Sequence, residues 1–194
     1  MGIVRIAVSG GPGAGKTTLW RAVAEAHRQR VIAVPEVATL MFSHVFPGVQ
    51  SAGERRAVQR AIFTVQHSLE HVYEQRLAAD QVLWCDRGVP DGGGYWPEGP
   101  DLFFESMQTS WQAELARYSA VLFMESAAVG GMSIADGNHT RTEDLATAVH
   151  LDQRLHQVWS AHPNFHLVQA ERDFAAKVER ALQLAERLLG IFSG

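Results

Sequence analysis

Short apolar runs alternate with longer helix-forming stretches along the chain. Five predominantly apolar runs predict buried strands, at residues 3–8, 31–34, 81–85, 120–124 and 165–168. The stretches between and after them predict helices, at residues 16–29, 51–80, 101–117, 141–160 and 172–189. Apolar strands that alternate with helices are typical of a parallel sheet covered on both faces. The pattern therefore predicts an α/β fold with five parallel strands and three layers.

The longest predicted helix has a regular apolar stripe. Its apolar positions advance in steps of three and four residues, as on one face of an α-helix: Val58, Ile62, Val65, Leu69 and Val72. This spacing predicts that the stripe is the buried face of the helix.

Length and composition narrow the classes of protein that fit. The 194 residues predict a single domain over residues 1–194. A net charge of −4 gives no general attraction to nucleic acid or to anionic lipid. The single cysteine, Cys85, excludes an internal disulfide and a four-cysteine zinc site, and no apolar run reaches the ~18–20 residues that span a bilayer. We expect a cytoplasmic protein without nucleic-acid or membrane partners.

A glycine-rich segment joins the first predicted strand to the first predicted helix. Residues 10–17 match the phosphate-binding pattern G-x-x-x-x-G-K-[ST] at every fixed position. Such a loop turns its backbone N–H groups around phosphate oxygens, and the following helix N-terminus adds partial positive charge. The predicted nucleotide-binding residues are Gly10, Gly11, Pro12, Gly13, Ala14, Gly15, Lys16, Thr17 and Thr18.

Two side chains of this segment have predicted roles toward ATP and Mg²⁺. Lys16 should reach the β- and γ-phosphates, and the Thr17 hydroxyl should bind the metal. Only Lys16 and Lys177 are lysines among the 17 basic residues, which is consistent with a need for a compact charge at position 16. The alternative interpretation is a glycine-rich turn without a ligand.

Acidic residues follow two further strands. Glu36 comes after the second strand, and the pair Asp86-Arg87 comes after the third. Since ligands of open α/β sheets lie beyond the carboxyl ends of the strands, these residues should face the phosphate loop. We assign Asp86 to the Mg²⁺ shell and Glu36 as general base or ligand of the acceptor hydroxyl, although either acid can serve as the base. The alternatives are a helix-initiating acid for Glu36, a turn aspartate for Asp86 and a surface ion pair for Arg87.

Two glycine-rich segments are candidates for mobile parts of a site. Residues 88–100 should be neither helix nor strand, and Asp91 and Tyr95 within them are predicted to contact substrate. Residues 126–141 should form a lid whose Arg141 closes onto the phosphates. The alternatives are packing of the first segment against the sheet edge and a solvated arginine at position 141.

The chain resembles the AAA-type ATPase/kinase-like family of P-loop proteins that includes the ribosylnicotinamide-kinase domain of bacterial NAD regulators. The resemblance rests on residues 10–17, VPEVA around Glu36, DRGVPDGGGYW at 86–96 and RTEDLATAVHLDQRLHQVW from Arg141. The chain is more loosely similar to deoxyribonucleoside kinases, although it has Gly88 where they have serine. That similarity implies that Gln66 holds the base of a nucleoside acceptor.

These residues favour a small-molecule kinase that transfers the γ-phosphoryl group of Mg-ATP to an acceptor, with a nucleoside or related metabolite as the expected class. Lys16, Glu36, Asp86, Arg87 and Arg141 are the expected catalytic residues. The main alternative is a nucleotide-dependent regulatory ATPase or GTPase switch without an acceptor. A motor-type ATPase fits less well, because 194 residues leave little room for its additional parts. The sequence leaves a homodimer open.

Overall fold

The computed structural model describes residues 3–133 and 144–191. Within these ranges one sheet contains the strands β1 (Arg5–Ser9), β2 (Val31–Val34), β3 (Val82–Asp86), β4 (Ala120–Met124) and β5 (Phe165–Val168). The strand order is β2-β3-β1-β4-β5, and each neighbouring pair is parallel. The predicted α/β fold of a P-loop protein, with five parallel strands, is confirmed.

Helices connect and cover these strands. They are α1 (Lys16–Ala26), α2 (Val37–His44), α3 (Ala52–Glu74), α4 (Asp91–Tyr95), α5 (Pro100–Ser106), α6 (Trp111–Leu115), α7 (Leu145–Ser160) and α8 (Phe174–Ile191). No helix in the two described ranges is both long and apolar enough to cross a membrane.

Alternation along the strands divides the core into two layers. Ile6 and Val8 of β1 pack with buried residues of α1 and α8 on one face of the sheet. Ala7 belongs to the cluster on the other face, together with Leu155 and Trp159 of α7. Because all five residues are fully buried, β1 lies at the centre of the molecule and holds the loop that follows it in a fixed place.

The prediction that residues 88–100 contain no helix is wrong. Residues 91–95 form α4, and α5 begins at Pro100. The glycines of α4 permit close packing: a Cβ added at Gly92 would lie 2.4 Å from the Phe103 ring, and one at Gly94 would lie 2.6 Å from Leu155. Tertiary packing of α4 therefore overrides the low helix propensity of glycine.

Other element boundaries also differ from the prediction. The single helix expected at 101–117 is two short helices, α5 and α6. The predicted helices did not include α2, although the alternative interpretation of Glu36 as a helix-initiating acid fits its position as the N-cap of α2. Ser110 begins α6 as an N-cap, because its side chain accepts a hydrogen bond from the Ala113 N–H. The first residues of the helix predicted at 141–160 lie outside the described ranges, and α7 begins at Leu145.

Only part of the predicted apolar stripe of α3 is buried. Val58 is buried, and Leu69 packs against the core. Val65 and Val72 are 42% and 47% exposed, whereas Gln66 and Glu70 are buried. The Glu70 carboxylate accepts hydrogen bonds from Arg117 at 2.7 Å, from the Tyr118 hydroxyl at 2.8 Å and from the Gln66 amide at 2.9 Å. A buried polar network thus replaces part of the apolar contact that the spacing predicted.

Removal of the Glu70 carboxylate should destabilise the fold. Glu70→Ala leaves the buried partners of this carboxylate without an acceptor, and breaking a buried ion pair typically costs about 3–5 kcal/mol. We expect a correspondingly lower free energy of unfolding in urea. Glu186→Ala, at an exposed position on α8, is the control and should unfold like the wild type. Equal unfolding midpoints for the two variants would contradict this role of Glu70.

Candidate functional site

The glycine-rich segment forms a loop between β1 and α1. Gly13 and Gly15 have φ values of +74° and +91°, a left-handed conformation that favours glycine. The loop lines a cavity of about 500 Å³. Of the nine predicted nucleotide-binding residues, the cavity is lined by Gly13, Ala14, Gly15, Lys16, Thr17 and Thr18. The other three predicted residues are buried and pack against the interior of the protein: Gly10, Gly11 and Pro12.

Lys16 is the cation of this loop. Its Nζ donates a hydrogen bond to the Gly11 carbonyl at 2.8 Å, and the residue is buried. Burial and the nearby Arg87 lower the pKa of Lys16 to about 7, although Glu36 and Asp86 act in the opposite direction. Burial removes the hydration of the Lys16 ammonium. An anionic ligand would compensate for this loss and would therefore bind favourably to Lys16.

Asp86 and Thr17 provide oxygen atoms that fit Mg²⁺. The Thr17 Oγ1 lies 3.5 Å from Asp86 Oδ2, while Asp86 Oδ1 is buried and has no hydrogen-bond partner. Burial and the neighbouring Glu36 raise the pKa of Asp86 to about 6. Mg²⁺ prefers hard oxygen ligands and is usually held by one or two protein groups, with water and phosphate completing its shell. In the described ranges no cluster of three or more His, Cys, Asp or Glu residues forms a protein metal cage.

Glu36 and Arg87 form an ion pair at the edge of the cavity. Arg87 Nε donates to Glu36 Oε1, and the Thr39 hydroxyl donates to Glu36 Oε2 at 2.6 Å. Burial alone would raise the pKa of Glu36, but Arg87 and Thr39 outweigh it and hold the pKa below its usual value. Glu36 is also the N-cap residue of α2, yet its side chain makes no capping hydrogen bond. Its carboxylate therefore binds Arg87 and the Thr39 hydroxyl of α2 rather than the backbone N–H groups of that helix.

Arg87 has an unusual backbone conformation for a non-glycine residue, with φ of +70°. Its guanidinium lies 5.5 Å from the centre of the Tyr95 ring, and its Nη1 is 3.8 Å from Asp91 Oδ2. The same Nη1 is buried without a hydrogen-bond partner. Strained residues and unpaired buried donors are enriched where a protein binds a ligand, so the conformation of Arg87 is consistent with a functional role.

Hydrogen bonds fix the Asp91 side chain next to Arg87. Its Oδ1 accepts hydrogen bonds from the Ser9 hydroxyl and, at 2.7 Å, from Trp159 Nε1. Burial raises the pKa of Asp91 more than Arg87 and these hydrogen bonds lower it. The adjacent Gly88 has no room for a Cβ, because one would lie 2.8 Å from the Trp159 ring. Asp91 thus joins α4, β1 and α7.

The structure brings only some of the predicted site residues together at the cavity. Glu36 and Asp86 line the cavity with Lys16, and Arg87 bonds to Glu36. Gln66 is buried in the Glu70 network and is not among the described residues that line this cavity. The predicted contacts of Gln66 and Asp91 with substrate stay predictions.

Part of the predicted lid lies outside the described residues. Arg141 and the segment 134–143 belong to that part. The beginning of the predicted lid, residues 126–133, is described, and Ser126 there is fully buried. The role assigned to Arg141 therefore stays a prediction.

Sequence reasoning missed several residues around the loop. Asp152 of α7 accepts hydrogen bonds from the N–H groups of Gly11 and Ser126, each at 2.8 Å. Lys177 of α8 donates to the Ala14 carbonyl at 2.9 Å. Phe174 is 50% exposed and lines the cavity beside Gly15. Lys177 carried a signal in the sequence as the second of two lysines, and Asp152 lies within the segment from Arg141 on which the resemblance rests, but neither contact with the loop could be read from the sequence.

Comparison with known proteins agrees with this arrangement of loop and sheet. No curated protein matches the chain significantly. A family model does match it, over residues 5–177, and is described as an AAA domain. This match extends from the first strand into the last helix and includes the phosphate loop and the acids at the ends of β2 and β3. The chain belongs to this AAA domain family of P-loop NTPase-type proteins.

Proposed function

We propose that the protein is an ATP-dependent phosphotransferase. It transfers the γ-phosphoryl group of Mg-ATP to a hydroxyl group of a small-molecule acceptor, and a nucleoside or related metabolite is the proposed acceptor class. The observation that carries the proposal is the set of side chains that line the cavity. Besides the loop cation Lys16, they include the aromatic ring of Phe174 and the carboxylate of Glu36.

The Phe174 end suits the base of a nucleotide. The Phe174 ring lies close to Gly15, where a Cβ would approach it to 2.8 Å, and half of the residue is exposed. An exposed aromatic ring beside a phosphate-binding loop offers a stacking surface for a purine. ATP with its base on Phe174 and its phosphates on the loop would extend toward the opposite end of the cavity.

The Glu36 end suits an acceptor. Glu36 lines the cavity together with Thr39 and Leu40 of α2, so a carboxylate, a hydroxyl and an apolar side chain share this surface. The lowered pKa of Glu36 keeps its side chain ionised at neutral pH, so that its carboxylate can accept a hydrogen bond from the acceptor hydroxyl. A switch that only hydrolyses nucleotide needs no such second compartment.

Each charged residue has a separate task in this proposal. Lys16 and Arg87 supply positive charge toward the phosphoryl group, and Glu36 orients the acceptor hydroxyl and takes up its proton. Thr17 and Asp86 would hold Mg²⁺, which neutralises phosphate charge when it is bound. The predicted approach of Arg141 would add a further cation.

The direct test is acceptor-dependent consumption of ATP. Wild-type protein with Mg-ATP should release ADP faster when one member of a panel of nucleosides and related metabolites is added. Mass spectrometry should then find that member heavier by one phosphoryl group. ATP or GTP hydrolysis at one rate with every addition would contradict the kinase and favour the regulatory switch.

Lys16→Ala should weaken nucleotide binding without unfolding the protein. Loss of a charge-assisted contact to phosphate should lower ATP affinity by about 10–100-fold. The measurement is calorimetric titration with Mg-ATP, with circular dichroism as the check on folding. Arg28→Ala removes an exposed cation and is the matched control. Wild-type affinity in Lys16→Ala would refute the assignment of the phosphate loop.

Glu36→Gln should impair transfer while it preserves ATP affinity. The amide keeps the size of the side chain and an acceptor for Arg87, but it cannot take up a proton. Removal of a general base typically lowers turnover by about 10²–10⁴-fold. The measurement is turnover with the acceptor found in the panel, alongside calorimetric ATP affinity. An unchanged turnover would exclude Glu36 as the base.

Asp86→Asn should instead change the dependence on metal. An amide binds Mg²⁺ less well than a carboxylate, so both ATP binding and turnover should need a higher Mg²⁺ concentration. Magnesium titrations of both activities in wild type and variant give the comparison. If Asp86→Asn kept the metal dependence and Glu36→Gln lost it, the two acids would have exchanged roles.

A further inference from the structure

The outer side of the phosphate loop is held by polar side chains from three other elements. Asp152 of α7 accepts the Gly11 N–H at 2.8 Å, and the Ser126 hydroxyl donates to the Pro12 carbonyl. Lys177 of α8 donates to the Ala14 carbonyl at 2.9 Å and also to the carbonyl of Glu125. The loop is therefore fixed at Gly11, Pro12 and Ala14 from the side opposite its cavity.

These contacts determine where the loop N–H groups point. In a trans peptide the carbonyl of one residue and the N–H of the next are antiparallel, and the described peptides of this protein include no cis bond. A side chain that holds the Ala14 carbonyl on the outer side therefore turns the Gly15 N–H the other way. Ser126 has the same relation to the Gly13 N–H through Pro12. Gly13 and Gly15 both line the cavity.

Lys177 is suited to this contact by its charge and shape. It is 2% exposed, and its compact ammonium donates to two backbone carbonyls. Burial lowers the pKa of Lys177 to about 8. The carboxylates that face it are Asp152 of α7, Glu125 after β4 and Glu171 after β5, and these oppose that decrease.

We propose that Lys177 is a positioning residue of the nucleotide site, which aims the Gly15 N–H at bound phosphate by holding the Ala14 carbonyl. This inference rests on the proposed nucleotide binding. Lys177 touches no ligand in this account, and it acts through the loop backbone. Ser126 performs the same task for the Gly13 N–H with an uncharged hydroxyl.

The test compares Lys177→Met with Ser126→Ala at pH 7 and pH 9.5. At pH 7 Lys177→Met should bind Mg-ATP about ten-fold more weakly than wild type in calorimetric titrations. At pH 9.5 the Lys177 amine is largely neutral and still carries two N–H donors, but without its positive charge it should hold the two carbonyls more weakly, so the affinity ratio should become smaller. Any titration of Lys16 is common to both proteins and cancels in the ratio. Ser126→Ala should show a smaller loss that is equal at both pH values, because a hydroxyl does not titrate there.

The free energy of unfolding provides an independent measurement. It should change with pH in the direction opposite to the relative ATP affinity. Since the pKa of Lys177 is lower in the folded protein than in the unfolded chain, the unfolded chain binds more protons between about pH 8 and 10.5. The free energy of unfolding of wild type, relative to Lys177→Met, should therefore rise over this interval while relative ATP affinity falls. A purely structural lysine would not make the two quantities diverge.

Three results would overturn the inference in distinguishable ways. Wild-type affinity in both Lys177→Met and Ser126→Ala would remove the positioning role alone, and so would a Lys177→Met ratio that increases between pH 7 and pH 9.5. Failure of the wild type to bind Mg-ATP would overturn the proposed function and this inference together. Arg187→Met, at an exposed position on α8, is the control and should bind like the wild type at each pH.

Discussion

The nucleotide site depends on one constraint: a short loop of small residues must keep its shape where it lines the cavity. Glycines allow that shape but do not enforce it, because they gain the most conformational freedom on unfolding. The enforcement comes from outside the loop. Asp152, Ser126 and Lys177 bind its backbone from three elements that are distant in sequence. Most residues of the loop are themselves buried, and the sheet positions the three supporting side chains relative to β1.

Charge balance is the second constraint on the site. Lys16, Glu36, Asp86 and Arg87 bring two positive and two negative side chains into one partly buried cluster. Burial of isolated ions would be prohibitive, and mutual pairing removes much of that cost. The pairing is unequal, however, because Glu36 and Arg87 bind each other whereas Asp86 Oδ1 has no partner. The Lys16 ammonium donates its hydrogen bond to a backbone carbonyl, that of Gly11. The two groups with the least direct pairing are those that the proposal assigns to phosphate and metal.

Local patterns in the sequence predicted the strands, the phosphate loop and the acids at the strand ends. These features depend on residues that are close in the chain, and the parallel order of the sheet then brings their ends together. Features that depend on distant partners were not predictable in this way. The three glycines of α4 look like a loop until Phe103 and Leu155 pack against them. The buried face of α3 was predicted only in part, because the buried Glu70 is satisfied by Arg117 and Tyr118, which lie in another part of the chain.

The central claim is that the cavity holds a phosphoryl donor and an acceptor at its two ends. Its most direct test follows the γ-phosphoryl group of ATP carrying a radioactive label, in a single turnover with the wild-type protein, Mg²⁺ and a pool of nucleosides and related metabolites. The account predicts that the label appears in an organic product, and that Glu36→Gln greatly slows its appearance. Label found only in inorganic phosphate, at a rate independent of the pool, would contradict it.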